Sequence, residues 1–122
     1  RAVLLPGDIE AAAEAELIAV PGIDLRADLL VVPHHGSATS STPAFLDAVR
    51  PRLAIVPAGV PNRFGFPHAA VRARYAARQV RLLVSGREGM LVWHSAGHLP
   101  TTGWRHSHRR WWHGQGAGAP AP

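Results

Sequence analysis

Two groups of polar residues stand where short apolar runs end. Asp8 follows the run at residues 2–5, and the pair His34 and His35 comes directly after the run at residues 29–33. Because open α/β sheets bind ligands at the carboxyl ends of their strands, a carboxylate and an imidazole are expected to meet there. Carboxylate oxygen and neutral imidazole nitrogen both bind zinc or manganese. The sequence therefore predicts a divalent-metal site that uses Asp8 and a histidine of the pair.

Each of these residues also has a purely structural interpretation. Asp8 stands where a helix N-cap belongs, and taken alone it is more often a cap than a ligand. Adjacent histidines on a continuing strand project to opposite sides, so only one of His34 and His35 can face a given ion. The other can orient substrate, or both can be loop residues held by backbone groups. The sequence leaves the choice of ligand open.

Further polar side chains follow the histidines and the next apolar run. Ser37 and Ser40 precede a predicted helix, whose N-terminus can help them to hold a phosphate oxygen. Asn62 and Arg63 follow the run at residues 52–57 and are expected on the same side of the sheet. Arg63 is the stronger phosphate candidate because its guanidinium group is always charged and forked. These four residues are predicted to bind substrate.

Apolar runs alternate with helix-forming segments up to about residue 94. Pro43 is expected at the first position of a helix that Thr42 caps. The segment SGREG at residues 85–89 is typical of a hairpin between the last two strands. The resulting order βαβαβαββ predicts an α/β fold with helices covering the sheet. Strands are predicted at residues 2–5, 28–33, 52–57, 80–84 and 90–93, and the other helices at 9–19 and 68–78.

Residues 95–122 differ in composition from the predicted domain at residues 1–94. They are rich in Gly, His, Trp and Arg without periodicity, which predicts a disordered, irregular tail. The interleaved arginines and tryptophans of this tail can stack on single-stranded bases. His106 and His108 can bind a metal loosely.

Composition excludes several classes of protein. The 122 residues contain no cysteine, so disulfides and thiolate zinc sites are excluded. No apolar run approaches the roughly 20 residues of a membrane helix. A serine-nucleophile elbow, a P-loop and a dinucleotide fingerprint are missing, so no small-molecule cofactor is predicted. The net charge of +5 comes from arginine without lysine, which suits phosphate contacts and is also what a GC-rich genome produces.

Three segments together resemble one protein family. In chain order they are LLPGDIEAAAE, DLLVVPHHGSATSSTPAFLDAVRPRLAIVPAG and NRFGFPH. They resemble the C-terminal half of the metallo-β-lactamase-like domain of ComEC-type competence proteins, whose patterns are T-G-D, H-H-G-S-x-x-S and S-x-G-x-x-N-x-Y-G-H-P. The resemblance covers residues 3–93. It implies half of an αββα sandwich, with Asp8 as a metal-bridging aspartate and His34 or His35 as a late ligand.

The chain departs from these family patterns at several positions. Pro6 replaces the threonine, which is not a ligand. Phe64 stands at the tyrosine position. Phe66 replaces the histidine of Y-G-H-P and removes a polar group, which His68, two residues later, is a candidate to replace in substrate binding.

The resemblance also implies an activity, partners and a location. In an intact parent protein, a site with two zinc or manganese ions would activate water to cleave a phosphodiester. The substrate would be DNA during competence uptake. The implied partners are the missing N-terminal half of the domain, which carries most metal ligands, and a membrane-channel portion. The domain would lie outside the cytoplasmic membrane of a bacterium, and this chain alone is expected to be inactive.

Two other functions fit the same residues. A degenerate module that binds DNA without cutting it is favoured by Phe66. A small-molecule metallo-hydrolase of the same fold is the other alternative, because a fold does not fix the substrate. In each case the face left open by the missing half predicts poor solubility.

Overall fold

The computed structural model describes residues 1–96 and 103–108. Its four strands form one parallel sheet in the order β1-β2-β3-β4, so the predicted α/β class is confirmed. None of the helices within the described residues has the length and apolar character needed to cross a membrane. The elements in chain order are β1 (Val3–Leu4), α1 (Ala11–Ala19), β2 (Leu29–Val31), α2 (Pro43–Val49), β3 (Leu53–Val56), α3 (Ala69–Ala76), β4 (Arg81–Val84), α4 (Ser85–Glu88) and α5 (Trp104–Ser107).

The main core lies between the sheet and its helices. Leu30 of β2 is fully buried there with Phe45 of α2 and Tyr75 of α3. Leu29, the neighbour of Leu30, points to the opposite face, where Leu53 and other apolar side chains form a smaller core. Both faces of β2 are thus buried, as its unbroken apolar sequence predicts.

Helices α1 and α2 begin differently. Thr42 caps α2 as predicted, because its hydroxyl oxygen accepts a hydrogen bond from the N–H of Phe45 at 3.3 Å, with Pro43 at the first position. Helix α1 has Glu10 at its N-cap, so the predicted cap at Asp8 is wrong. The reason is a tertiary bond: the N–H of Ala11 donates to the carbonyl of Thr39 at 2.9 Å. Asp8 is therefore not used by the helix.

The predicted hairpin after β4 is wrong. Residues 85–88 form the single turn α4, and residues 90–93 make no strand. The N–H of Gly86 donates to Ala58 O at 2.9 Å, and a Cβ at Gly86 would lie 2.6 Å from that oxygen. This backbone contact bends the chain away from β4, and Leu91 and Trp93 then pack on the smaller core.

Part of the predicted disordered tail is helical. Helix α5 packs against α4, where His106 Nε2 lies 2.9 Å from Glu88 Oε2 and the N–H of Trp104 donates to Met90 O at 2.9 Å. Arg105 also hydrogen-bonds to the carbonyl of Gly86. Residues 103–108 of the predicted tail thus contain one helical turn, the rest of the tail beyond residue 96 lies outside the described residues, and its disorder stays a prediction.

Candidate metal centre

A left-handed turn carries the two histidines away from β2. His34, His35 and Gly36 have φ angles of 47°, 54° and 85°, so the strand does not continue through them. The two side chains consequently do not alternate as they would on a strand. The N–H of His34 donates to the carbonyl of Gly7 at 3.1 Å, which ties this turn to the loop of Asp8. The carboxyl ends of β1 and β2 thus bring the predicted residues together.

His35 faces Asp8. Its Nε2 lies 3.7 Å from Asp8 Oδ1, and its Nδ1 lies 2.8 Å from the carbonyl oxygen of Pro57. A carbonyl oxygen can only accept, so Nδ1 carries the proton and donates. In the neutral ring Nε2 is then an acceptor that faces a second acceptor, the Asp8 carboxylate. Two acceptors that face each other in this way have the chemistry to share a cation.

His34 faces a different carboxylate. Its Nδ1 lies 3.0 Å from Glu10 Oε1, yet this nitrogen is buried without a hydrogen bond in the described part of the chain. Glu10 Oε1 also accepts a hydrogen bond from Thr39 Oγ1 at 3.0 Å. The edge of the His34 ring contacts Phe66, with 6.2 Å between centroids. His34 is therefore partly enclosed between Glu10 and an apolar ring.

The distance between His35 and Asp8 fits a shared divalent ion. Two ligand atoms on one tetrahedral zinc stand about 3.3 Å apart, because each lies roughly 2.0–2.2 Å from the metal. The observed 3.7 Å is close to that spacing and too long for a direct hydrogen bond. Within residues 1–96 and 103–108, no group of three or more metal-binding side chains is assembled. These residues fit as part of a metal site.

The two serines differ in accessibility. The Ser37 hydroxyl is partly exposed and lies 2.9 Å from Thr39 Oγ1. Ser40 is fully buried, and its Oγ lies 2.8 Å from the carbonyl oxygen of Pro33 and 3.0 Å from that of Ser37. Ser40 supports the histidine turn from inside, so of the two only Ser37 is placed to meet a substrate.

The side chain of Asn62 holds the loop between β3 and α3. Its Nδ2 donates to the carbonyls of Gly59 and Phe66, both at 2.8 Å. Its Oδ1 accepts from the N–H of Phe66 at 2.9 Å. The amide is thus committed to the loop backbone, and Asn62 fixes the position of the residues between these contacts.

Aromatic rings form a row from this loop to the histidines. Phe64 stacks on Phe66 with 5.5 Å between centroids, and Phe66 contacts His34. The guanidinium carbon of Arg63 lies 4.7 Å from the centre of the Phe64 ring. Arg63 is exposed beside this row, and its contact with a substrate stays a prediction. Sequence reasoning missed the row, although the spacing of Phe64 and Phe66 was a visible signal.

His68 borders the histidine turn through its backbone. Its N–H donates to the carbonyl of Gly36 at 2.8 Å, and the residue is exposed at the N-cap position of α3. Sequence reasoning also missed Glu10 and the carbonyl of Pro57 as partners of the two histidines. Glu10 is two residues from Asp8, which was the only signal for it, whereas a backbone carbonyl leaves none.

The chain is similar to segments of competence proteins. It is 38% identical over 90 residues to Competence protein ComA of Neisseria gonorrhoeae, covering 74% of this chain and 13% of that protein. It is 36% identical over 89 residues to ComE operon protein 3 of Bacillus subtilis, covering 72% and 11%. It is 39% identical over 90 residues to Recombination protein 2 of Haemophilus influenzae, covering 71% and 11%.

These similarities support a competence family for the chain. No protein-family model matches it. The chain spans only 11% to 13% of the length of these curated relatives.

Proposed function

We propose that this chain is half of a metallo-β-lactamase-like domain that hydrolyses phosphodiester bonds of DNA during competence uptake. The similarity to competence proteins supports the biological process. The four-stranded parallel sheet with its helices is compatible with one sheet and one helical layer of such an αββα sandwich. The observation that carries the proposal is the pairing of two acceptor atoms, His35 Nε2 and Asp8 Oδ1, at 3.7 Å.

In this proposal His35 is the metal ligand of the pair. Its Nδ1–H bond to Pro57 O fixes the tautomer and ring orientation, which is the support that metal-binding histidines usually have. The proposal gives His34 a role beside the substrate, between Glu10 and Phe66. The bound zinc or manganese, one ion or two, would supply activation of a water molecule and stabilisation of charge on the phosphodiester. Ser37, Arg63 and His68 are proposed to contact phosphate groups.

The remaining ligands are proposed to come from an upstream segment of a longer protein. Asp8 and His35 alone do not complete a site, because zinc takes four ligands. At the β1 edge of the sheet Val3 and Leu5 are 40% and 70% exposed, which supports a further layer packing there. In that protein the domain would adjoin a membrane channel on the outer side of the cell membrane.

Metal binding by the 122-residue chain and by a chain extended upstream tests this proposal. Only the extended chain is expected to retain zinc or manganese after gel filtration and to cleave DNA, because only it supplies the other ligands. Metal content is measured by mass spectrometry and cleavage with labelled oligonucleotides. Metal and cleavage absent from both chains would overturn the proposal.

Replacing each histidine in turn by glutamine tests which one is the ligand. In the extended chain, His35→Gln is expected to weaken zinc affinity by about tenfold or more, since even second-shell changes cost that much. The matched variant His34→Gln is expected to leave affinity nearly unchanged. Competition with a chromogenic chelator measures both. A larger loss for His34→Gln would reverse the assignment.

A module that binds DNA without cutting it is a second candidate. The observation that favours it is the position of Phe66, whose apolar ring contacts His34 where a polar group would help chemistry. This candidate predicts that the extended chain binds DNA without metal and leaves it intact.

A further inference from the structure

A basic surface lies at the amino end of the sheet, opposite the candidate metal centre. Because the four strands are parallel, the segments that lead into them meet at this end. Exposed arginines occur in each of these segments: Arg1, Arg26, Arg50, Arg52 and Arg81. Strand β3 separates the two ends of the sheet by four residues, about 13 Å. A partner bound to these arginines is therefore remote from the histidine turn.

Two of these arginines have no carboxylate partner among the residues that the structure describes. Arg50 uses its Nε, which donates to the carbonyl oxygen of Asp47 at 3.0 Å, whereas the carboxylate of Asp47 is paired with Arg78 at 2.7 Å. The side chain of Arg52 forms no hydrogen bond or ion pair within residues 1–96 and 103–108. Both guanidinium groups can therefore contact an anion, and their forked geometry suits two oxygens of one phosphate group.

Two adjoining depressions concentrate the charge of this surface. The smaller one has a volume of about 180 Å³ and is lined by Arg26, Ala27, Asp28, Arg50 and Arg52. The carboxylate of Asp28 accepts a hydrogen bond from the N–H of Ala2 at 3.0 Å, and Asp24 is paired with Arg26 at 3.0 Å. The nearby carboxylates are thus occupied, and the unpaired charges at this depression are positive.

Exposed aliphatic side chains border the same arginines. Ile18, Val20 and Ile23, at the end of α1 and in the loop that follows it, are 38%, 43% and 50% exposed. Ile18 and Ile23 line the larger depression, of about 250 Å³, together with Arg26 and Arg50. Large aliphatic side chains that share an exposed surface with arginines are typical of proteins that lie on anionic lipid, because the two groups bind different depths of the interface.

We propose that the amino end of the sheet docks on the surface of an anionic lipid membrane. Arg50 and Arg52 bind lipid phosphate groups, and the three exposed aliphatic side chains enter the boundary between headgroups and acyl chains. A lipid surface fits better than a nucleic acid, because the apolar groups here are aliphatic and offer no ring on which a base can stack. The inference goes beyond the proposed function: it orients the domain with its candidate metal centre facing away from the lipid.

Flotation of the full chain with lipid vesicles in EDTA tests this docking surface. The chain is expected to float with vesicles of phosphatidylcholine and phosphatidylglycerol in equal parts, and not with phosphatidylcholine alone, which carries no net charge. Arg50→Gln and Arg52→Gln are each expected to lower the affinity for the mixed vesicles about fivefold, which corresponds to about 1 kcal/mol per basic residue at an anionic surface. Arg87→Gln removes the same charge from an exposed site after β4, at the carboxyl end, and as the matched control is expected to bind like the unmodified chain.

Serine variants test the aliphatic part of the surface in the same assay. Ile23→Ser is expected to weaken binding to the mixed vesicles about fivefold or more, because the side chain that enters the lipid is lost. Leu5→Ser removes an aliphatic side chain of the same size from a 70% exposed position after β1, at the carboxyl end, and is the matched control. Its affinity is expected to equal that of the unmodified chain. Circular dichroism verifies that each variant folds.

Several outcomes would overturn the docking surface. An equal loss for Arg52→Gln and Arg87→Gln would mean that only the net charge matters, and unchanged binding by Ile23→Ser would remove the aliphatic contact. Calorimetric binding of inorganic phosphate without vesicle binding would leave a soluble anion as the ligand. Self-association seen by light scattering, lost in Ile23→Ser and without vesicle binding, would leave a second copy as the partner. Since EDTA removes metal, none of these results depends on the candidate metal centre, and failure of the hydrolase proposal leaves positive flotation standing.

Discussion

Replacing Gly36 by alanine is expected to destabilise the protein by about 3 kcal/mol or more. A Cβ built on Gly36 would lie 2.6 Å from Pro67 Cβ and 2.9 Å from Pro67 Cα. Neither atom belongs to a flexible side chain, so the backbone of one segment must move. In addition, Gly36 has a φ angle of 85°, which an alanine adopts only with strain.

Chemical denaturation of Gly36→Ala beside Gly22→Ala separates the clash from the strain. Gly22 has a comparable φ of 78°, but a Cβ there meets nothing within 4 Å. The control is expected to lose only about 1–2 kcal/mol, the cost of the left-handed conformation. Equal losses in the two variants would show that contact with Pro67 contributes nothing to stability.

The same contact connects two loops of the candidate site. The carbonyl of Gly36 accepts from the N–H of His68 at 2.8 Å, directly beside the packing of Gly36 on Pro67. The histidine turn is thus held against the loop that carries Phe64 and Phe66. A shift at Gly36 would therefore move His35 relative to the carbonyl of Pro57, which orients its ring.

The convergence of Asp8 and His35 was predictable because it follows from strand order alone. Both residues come after an apolar run, and parallel strands present their carboxyl ends at one edge. The helix that begins at Pro43 was predictable for the same kind of reason: Thr42 and Pro43 are local signals that need no tertiary partner. The metallo-β-lactamase-like fold itself stays a prediction.

Features that depend on distant backbone contacts were not predictable. The segment at residues 85–89 has the composition of a hairpin, yet Gly86 packs on the backbone near Ala58, and the chain turns as a helix. The left-handed turn at His34 and His35 has no local signal except Gly36, since neither histidine favours a positive φ strongly enough to predict it. Composition alone did not distinguish these outcomes.

Phe66 has a different meaning in the structure than in the sequence. In the sequence it replaces the histidine of the family pattern Y-G-H-P and so removes a polar group from the site. In the structure its ring contacts His34, and it also lines a cleft together with residues of α3 and β4.

Glu14 is expected to be the acidic residue on which stability depends most. It is fully buried, and its two carboxylate oxygens accept hydrogen bonds from the N–H groups of Ser41 at 2.6 Å and Thr42 at 2.8 Å. The carboxylate of α1 thus binds the positive N-terminal end of α2, directly after the histidine turn. No pattern in the sequence indicated this role of Glu14.

Glu14→Gln is expected to lower the free energy of unfolding by about 2–4 kcal/mol, because the amide can accept only one of the two bonds and its NH₂ group opposes the other donor. Glu16→Gln is the matched control: the same change on the same helix at an exposed position, expected to cost less than about 0.5 kcal/mol. Urea titration measures both variants. A loss below 1 kcal/mol for Glu14→Gln, on the order of one ordinary hydrogen bond, would show that the buried carboxylate does not hold the two helices together.

The negative charge of Glu14 affects the pKa of Tyr75 as well as forming the two hydrogen bonds of Glu14. Burial raises the pKa of Tyr75, the hydrogen bond between its hydroxyl and that of Ser41 lowers it, and the charge of Glu14 raises it. The folded protein therefore favours the neutral phenol. As a result, the free energy of unfolding falls as the pH rises above the ordinary tyrosine pKa of about 10. In Glu14→Gln the free energy of unfolding is expected to fall less between neutral and alkaline pH than in the unmodified chain, because the negative charge that opposes ionisation of Tyr75 is gone. Unfolding curves at neutral and alkaline pH test this, and an identical pH dependence in the two proteins would mean that Glu14 and Tyr75 are not coupled.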